Sequence, residues 1–108
     1  MGTFKIRKST NGQYYWTLNS SNGQVLITSE TYVSKEGCKA GINSSKVSVY
    51  ESNFRRFISS NSQYYFTQNA NNNQVLGTSE MYVSIQGRDN GIAAVKAEAP
   101  SAIIQDLT

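Results

Sequence analysis

Glu30 and Glu80 stand fifty positions apart in one shared context, Thr-Ser-Glu-x-Tyr, and no other acidic residue recurs at that spacing. Two carboxylates brought together by such a repeat could share a proton as an acid/base pair, or could hold a cation. Either task needs further convergent groups, and the sequence supplies few. It has no histidine, the commonest general base and metal ligand. Cys38 is its only cysteine, which excludes zinc sites built from several thiolates or from Cys with His. Neither Gly-x-Gly-x-x-Gly nor Gly-x-x-x-x-Gly-Lys occurs, so no phosphate loop is expected. The simpler reading of Thr28-Ser29-Glu30 and its copy is that short polar side chains bond backbone groups as the chain leaves a strand. Cys38 could be a thiol activated at a helix N-terminus. The simpler reading is a small buried residue beside Gly37, and Arg88 replaces it in the repeat.

A second set of residues is suited to binding. Tyr15 with Thr17 recurs as Tyr65 with Thr67, and Lys5, Arg7 and Arg55 lie in the segments just before them. If Tyr14, Trp16 and Leu18 face a core, alternation turns Tyr15 and Thr17 outward. Aromatic side chains on an open sheet face, with cations on the neighbouring strand, resemble the platforms on which single-stranded nucleic acid stacks. That reading requires Tyr15 and Tyr65 to lie exposed on the same sheet face as at least three of Lys5, Arg7, Arg55 and Arg56. The competing reading is cross-strand pairing that only shields the sheet. The candidate surface is Tyr15, Thr17, Tyr65, Thr67, Lys5, Arg7 and Arg55, with Glu30 and Glu80 beside it. No catalytic residue, cofactor or metal ligand is assigned. The expected function is a small non-catalytic binding or accessory module presenting a sheet surface to a partner, such as a protein. The alternatives are a weak single-stranded nucleic-acid binder through Tyr15, Tyr65 and the neighbouring cations, and a small-ligand enzyme using Glu30 and Glu80.

The elements that position these residues come from an internal repeat. Between Gln13–Ser34 and Gln63–Ser84, 15 of 22 aligned positions are identical. Two units are too few for a solenoid, so a closed pseudo-dimer is expected, each half covering the other. In "TFKIRKS", Phe4 and Ile6 alternate with Lys5 and Arg7, the period of a half-buried strand. Asn11-Gly12 then signals a hairpin, "QYYWTLN" a second strand, "SSNG" a turn and "QVLITS" a third strand. Unit two copies this with weaker turns, Asn61-Ser62 and Ala70–Asn73. Ser34 and Ser84 are N-caps for a helix in each unit. Val33, Gly37, Gly41 and Ile42, and their copies, line one side of it. The four glycines lower helix propensity by roughly 1 kcal/mol each relative to Ala, which implies close approach of the helix to whatever lies beneath. Ser52–Ser59 is expected to be shared, following helix one and also opening unit two, and to tie the halves together. The fold class is therefore α+β: two tandem β-β-β-α-β repeats in one antiparallel sheet, two helices on one face, pseudo-two-fold symmetry and terminal strands exchanged. A single domain spans 1–108, with repeat one about 1–51 and repeat two about 52–108.

Composition agrees with a thin fold, at 38% hydrophobic and only 16% charged residues. A net charge of +3 is a mild bias, short of the dense basic face of a dedicated nucleic-acid binder. No run approaches the eighteen apolar residues of a membrane span, and the N-terminal stretch lacks the apolar core of a signal peptide. A cytoplasmic monomer without membrane contact is expected.

"NGQYYWTL", "NGQVLITSE" and a helix carrying Gly-Ile with a later Val-Lys or Val-Ser, followed by Pro100 after the second helix, together resemble the YegP-like family of small, uncharacterised bacterial proteins. The resemblance runs from about Phe4 to Thr108. It implies tandem β-β-β-α-β motifs with exchanged terminal strands, and it implies no established activity, cofactor or catalytic residue. The chain departs from that family in lacking a proline after the first helix, and in Asn73 and Gly77.

Overall fold

Thr3–Lys8 forms β1, Tyr14–Asn19 β2, Val25–Ser29 β3 and Lys35–Val47 α1. The second unit repeats them as β4 (Phe54–Ile58), β5 (Tyr64–Asn69), β6 (Val75–Ser79) and α2 (Ile85–Glu98), and the chain closes with β7 (Ile103–Asp106). These elements belong to a computed structural model that describes residues 2–108.

Local chemistry accounts for the boundaries. Gly12 and Gly23 take positive φ (82° and 87°) in the two turns of unit one. Ser62 (φ 65°) and Asn73 (φ 70°) hold the same conformation in unit two, where a Cβ makes it less favourable. The turns survive the change: Ser9 N–H donates to Gln13 O at 2.8 Å, and Ser59 N–H to Gln63 O at 2.7 Å. Ser34 Oγ accepts from Gly37 N–H, and Ser84 Oγ from Gly87 N–H, each at 3.0 Å. Both helices are thus capped where expected. Lys46 and Lys96 lie in their last turns, and Pro100 falls in a short 3₁₀ turn, Ala99–Ser101.

The seven strands make one sheet in the order β4-β5-β6-β3-β2-β1-β7. Five pairings are antiparallel. The sixth corrects the expectation of a wholly antiparallel sheet: β7 runs parallel to β1, pairing Thr3 with Ile103 and Ile6 with Asp106. β1 and β7 are separated by nearly the whole chain, and α2 with its 3₁₀ turn carries the chain from β6 over the sheet to that edge. The exchanged terminal strand is therefore β7, which follows the helix of unit two and lies at the edge of unit one. The halves meet at β3 against β6, with Thr28 opposite Thr78 near the pseudo-two-fold axis. Ser52–Ser59 does not lie at this joint; its strand, β4, forms the far edge.

Both helices cover the sheet face that carries Phe4, Ile6, Trp16, Leu18 and Ile27, with Phe54 and Phe66 in the second half, all buried. Trp16 meets Phe4 edge-on, and Phe66 meets Phe54 in the same way. A bulge between Leu18 and Asn19 pairs Leu18 with Ile27 but Asn19 with Val25, so Leu26 is an extra residue. Leu76 holds the matching position in β6. A bulge interrupts alternation, which is why Leu26 and Ile27 are buried in succession. Val33 and Val83 depart from the expected helix stripe; they precede the caps and are exposed. No helix among the described residues is long and apolar enough to cross a membrane.

Candidate binding face

The face without helices carries one continuous row of residues. Strand pairing aligns Gln105 with Lys5, Lys5 with Thr17, Thr17 with Thr28, Thr28 with Thr78, Thr78 with Thr67, and Thr67 with Arg55. Neighbouring strands lie ~4.8 Å apart, so four threonines run ~14 Å across the sheet centre, flanked by Lys5 and Arg55. Thr17 and Thr67 depart from the expected open surface: both are buried, with Thr17 Oγ1 donating to Asn19 Oδ1 at 2.8 Å and Thr67 Oγ1 to Asn69 Oδ1 at 2.7 Å.

Tyr15 and Tyr65 share this face but are half-buried, less open than the expectation of exposed tyrosines. Tyr15 is opposite Arg7, and Tyr65 is opposite Phe57. The Phe57 and Tyr65 rings stack, with centroids 5.1 Å apart and planes 18° from parallel. Because β2 and β5 run in opposite directions, the tyrosines flank the threonine row on opposite sides, ~20 Å apart on a diagonal. Lys5, Arg7 and Arg55 thus join Tyr15 and Tyr65 on one face. Arg55 is braced there by Asn73 Oδ1 at 2.9 Å. Arg56 is on the helix face, paired with Glu51 and, at 3.2 Å, with Asp89. Asp106 is the only carboxylate within the strands, and its pairing with Ile6 turns it to the helix face. The strand residues of the open face therefore bear cations alone.

Glu30 and Glu80 do not converge. Each lies two residues beyond the Thr28–Thr78 pair, in opposite directions. That separates them by ~14 Å along the strands. Both are exposed. The serines before them have a structural role: Ser29 Oγ accepts from Trp16 N–H at 2.9 Å and donates to Glu30 O at 2.7 Å, and Ser79 does the same for Phe66 and Glu80. Cys38 is buried, and burial pushes its thiol up to about 11, with the Asp106 charge adding to the shift. The thiol is therefore protonated near neutrality, not activated. No group of three His, Cys, Asp or Glu side chains suited to a metal gathers among the described residues, nor do they form a pocket.

Thr28, Thr78 and Phe57 were not in the sequence-derived surface. Thr28 and Thr78 enter only because β3 pairs with β6, a contact that spans the repeat boundary. The signal available for Phe57 was its position opposite Tyr65, the counterpart of Arg7 opposite Tyr15.

A family model described as "Domain of unknown function (DUF1508)" matches the chain twice, over residues 9–49 and 59–106. The chain belongs to the DUF1508 family. The first match takes in β2, β3 and α1, and the second β5, β6, α2 and β7, so the model repeats along the chain as the structure does, while β1 and β4 lie outside both matches. It is similar to the UPF0339 protein YegP of Yersinia pestis, 41% identical over 56 residues, which are 47% of this chain and 50% of that protein. The chain thus spans about half the length of the curated relatives it first matches. A UPF0339 protein of Methanosarcina acetivorans is 39% identical over 46 residues, 43% of this chain but 79% of that protein. That relative is little longer than one unit. Among solved structures, the E. coli YegP protein, described as of unknown function, superposes with a TM-score of 0.93 at 37% identity, covering 99% of this chain and 93% of that one. A UPF0339 protein of Shewanella oneidensis has a TM-score of 0.93 at 38% identity, over 99% and 92%.

Proposed function

We propose that this DUF1508 protein is a non-catalytic binding module whose helix-free sheet face is the contact surface, and that its partner is single-stranded nucleic acid. One observation carries the reading: Lys5, Arg7, Arg55, Tyr15 and Tyr65 share a face on which the strands present no carboxylate. A flat face suits an extended ligand better than a small one. Two tyrosines on a diagonal give bases two stacking stations, and the cations meet phosphates. With three cations the affinity is weak and falls with salt, the logarithmic slope being about −2 at 0.7 per neutralised phosphate. Glu30 and Glu80 are better read as solvated residues at the strand ends, since their separation leaves neither a partner for proton sharing.

The test is fluorescence anisotropy with a labelled single-stranded oligonucleotide of about twelve nucleotides, long enough to span the ~20 Å between the two tyrosines. Binding is expected near 50 mM salt and should weaken roughly 16-fold by about 200 mM, as the slope of about −2 requires. Tyr15→Ala with Tyr65→Ala should remove about 1–3 kcal/mol for each base that stacks. No binding at the lower salt, or binding unchanged in the double variant, would overturn the nucleic-acid reading and leave a protein as the partner of the face.

A further inference from the structure

The pseudo-two-fold axis maps β1 onto β4, β2 onto β5, β3 onto β6 and α1 onto α2 at an offset of fifty residues. It leaves β7 without a counterpart. Outside β1 lies β7, whose Ile103 N–H donates to Gly2 O at 3.1 Å and whose Leu107 N–H donates to Ile6 O at 2.9 Å. Outside β4, no strand pairs among the described residues. The cause is topological. The strand after α2 crosses to the other half and adds to its edge, and the strand after α1 also crosses. In the tandem chain, however, that segment must also be the first strand of unit two. One segment cannot occupy both places, so β4 forms and the position beyond it stays unfilled.

The backbone at that edge is oriented to receive a strand. Tyr64 N–H donates to Tyr82 O, so the even-numbered residues of β5 bond toward β6 and its odd-numbered residues bond toward β4. The opposite alternation on β4 leaves the N–H and C=O groups of Phe54 and Arg56 directed outward, as those of Phe4 and Ile6 are toward β7.

The neighbouring side chains specify the occupant. On the helix side, unit one has Lys8 and Lys35 over the Tyr14 ring, at 5.4 and 5.9 Å, and Lys35 paired with Asp106 at 2.9 Å. Unit two replaces these two lysines with Ile58 and Ile85, which are 66% and 52% exposed. Arg56 on that side already has Glu51 and Asp89 as partners. On the open side Arg55 is exposed, with no carboxylate partner among the described residues.

We propose that the outer edge of β4 is a strand-addition site for an extended segment of a partner protein. Its strand runs parallel to β4 and alternates aliphatic residues, toward Phe54 and Ile85, with a carboxylate toward Arg55. Main-chain bonds supply the attraction and the alternate side chains the selectivity, as in other β-augmentation. A second copy pairing through its own β4 is disfavoured because it would bring Arg55 and Arg56 of both chains together.

The probe is a peptide with the sequence of residues 102–108 carrying Gln105→Glu and Asp106→Val, titrated into the ¹⁵N-labelled full chain. Amide shifts confined to Phe54–Ile58, Ile85 and their neighbours are expected. Arg56→Pro removes an outward N–H that the β4–β5 ladder does not use, and should abolish binding, whereas Arg56→Ala should retain it. Arg55→Glu should weaken this peptide and favour one carrying Gln105→Lys instead. Shifts at Thr3–Ile6 with displacement of β7, no shifts at millimolar peptide, or a dimer abolished by Arg56→Pro and unaffected by peptide would each overturn the proposal.

Discussion

Gly41 is the position where helix propensity and packing oppose each other most sharply. An added Cβ there would lie 2.2 Å from the Tyr32 hydroxyl oxygen, 2.7 Å from its Cζ and 3.0 Å from Trp16 Nε1. Ordinary contact begins near 3.4 Å, so the end of Tyr32 must retreat by roughly 1 Å or more, a distance on the scale at which a close-packed interior strains. Its backbone cannot follow, because Tyr32 and Tyr14 exchange two hydrogen bonds, of 2.7 and 2.8 Å. The ring must therefore swing from its place against α1, near the buried indole N–H of Trp16. Gly→Ala in a helix interior gains about 1 kcal/mol of propensity, while overpacking costs about 1–3 kcal/mol. Packing is expected to prevail, and Gly41→Ala should destabilise by about 1–2 kcal/mol. Gly37→Ala is the control on the same helix. Its Cβ would meet Ser34 Oγ at 3.3 Å and Tyr32 Cδ1 at 3.5 Å, so it should be neutral or gain up to about 1 kcal/mol. Urea unfolding followed by Trp16 fluorescence reads both variants. Tyr32→Phe should relieve part of the Gly41→Ala loss, giving non-additive energies in a double-mutant cycle. A Gly41→Ala protein as stable as Gly37→Ala would refute the reasoning.

Trp16→Ala, at a fully buried position, should cost about 3–5 kcal/mol in urea unfolding followed by far-UV circular dichroism, since the variant lacks the tryptophan probe, and a loss below about 1 kcal/mol would contradict its placement in the core. Glu51 is held down to about 2 from an ordinary 4.5 by its hydrogen bonds to Arg56 and Lys96. A carboxylate depressed on folding contributes stability that is present above its unfolded value, so the contribution should fade as pH falls from about 4.5 toward 2. The side chain is 60% exposed, so the effect should stay within about 1 kcal/mol and diminish with salt; the gap between wild type and Glu51→Gln in urea melts should close at low pH. Gln68 is buried in β5, donates to Ser45 O at 3.0 Å and Ser48 O at 2.8 Å, and accepts from Ser45 Oγ at 2.6 Å, holding the end of α1 from the other half. Gln68→Leu should cost about 1–3 kcal/mol for each buried group left without a partner, and adding Ser45→Val should recover part of it.

That last pair shows how far the sequence could be read and where it stopped. Identity at an offset of fifty, alternation in β1, the Asn-Gly turn and the serine caps all act over a few residues, and each predicted its element. Leu18 and Gln68 break the repeat, as do Ser45 and Val95, and read one at a time they look like unrelated losses of identity. The fold makes them one exchange. Each helix reaches onto the other half, α1 toward β6 and α2 toward β3, so the counterpart of Ser45 on Gln68 is Val95 against the half that carries Leu18. One crossing is polar and the other apolar, and each is satisfied on its own terms. The same limit applies to the open face. Alternation turned Tyr15, Tyr65, Lys5, Arg7 and Arg55 outward because it is a property of single strands. The threonine row needed the β3–β6 register, and the parallel β7 needed the path of the chain after α2. Neither is encoded within one strand; both follow from how two copies close around an axis. The repeat announces that axis, but its location depends on which two strands are left without a partner inside their own unit. In a meander whose first strand is covered by β7 or forms the far edge, those strands are β3 and β6.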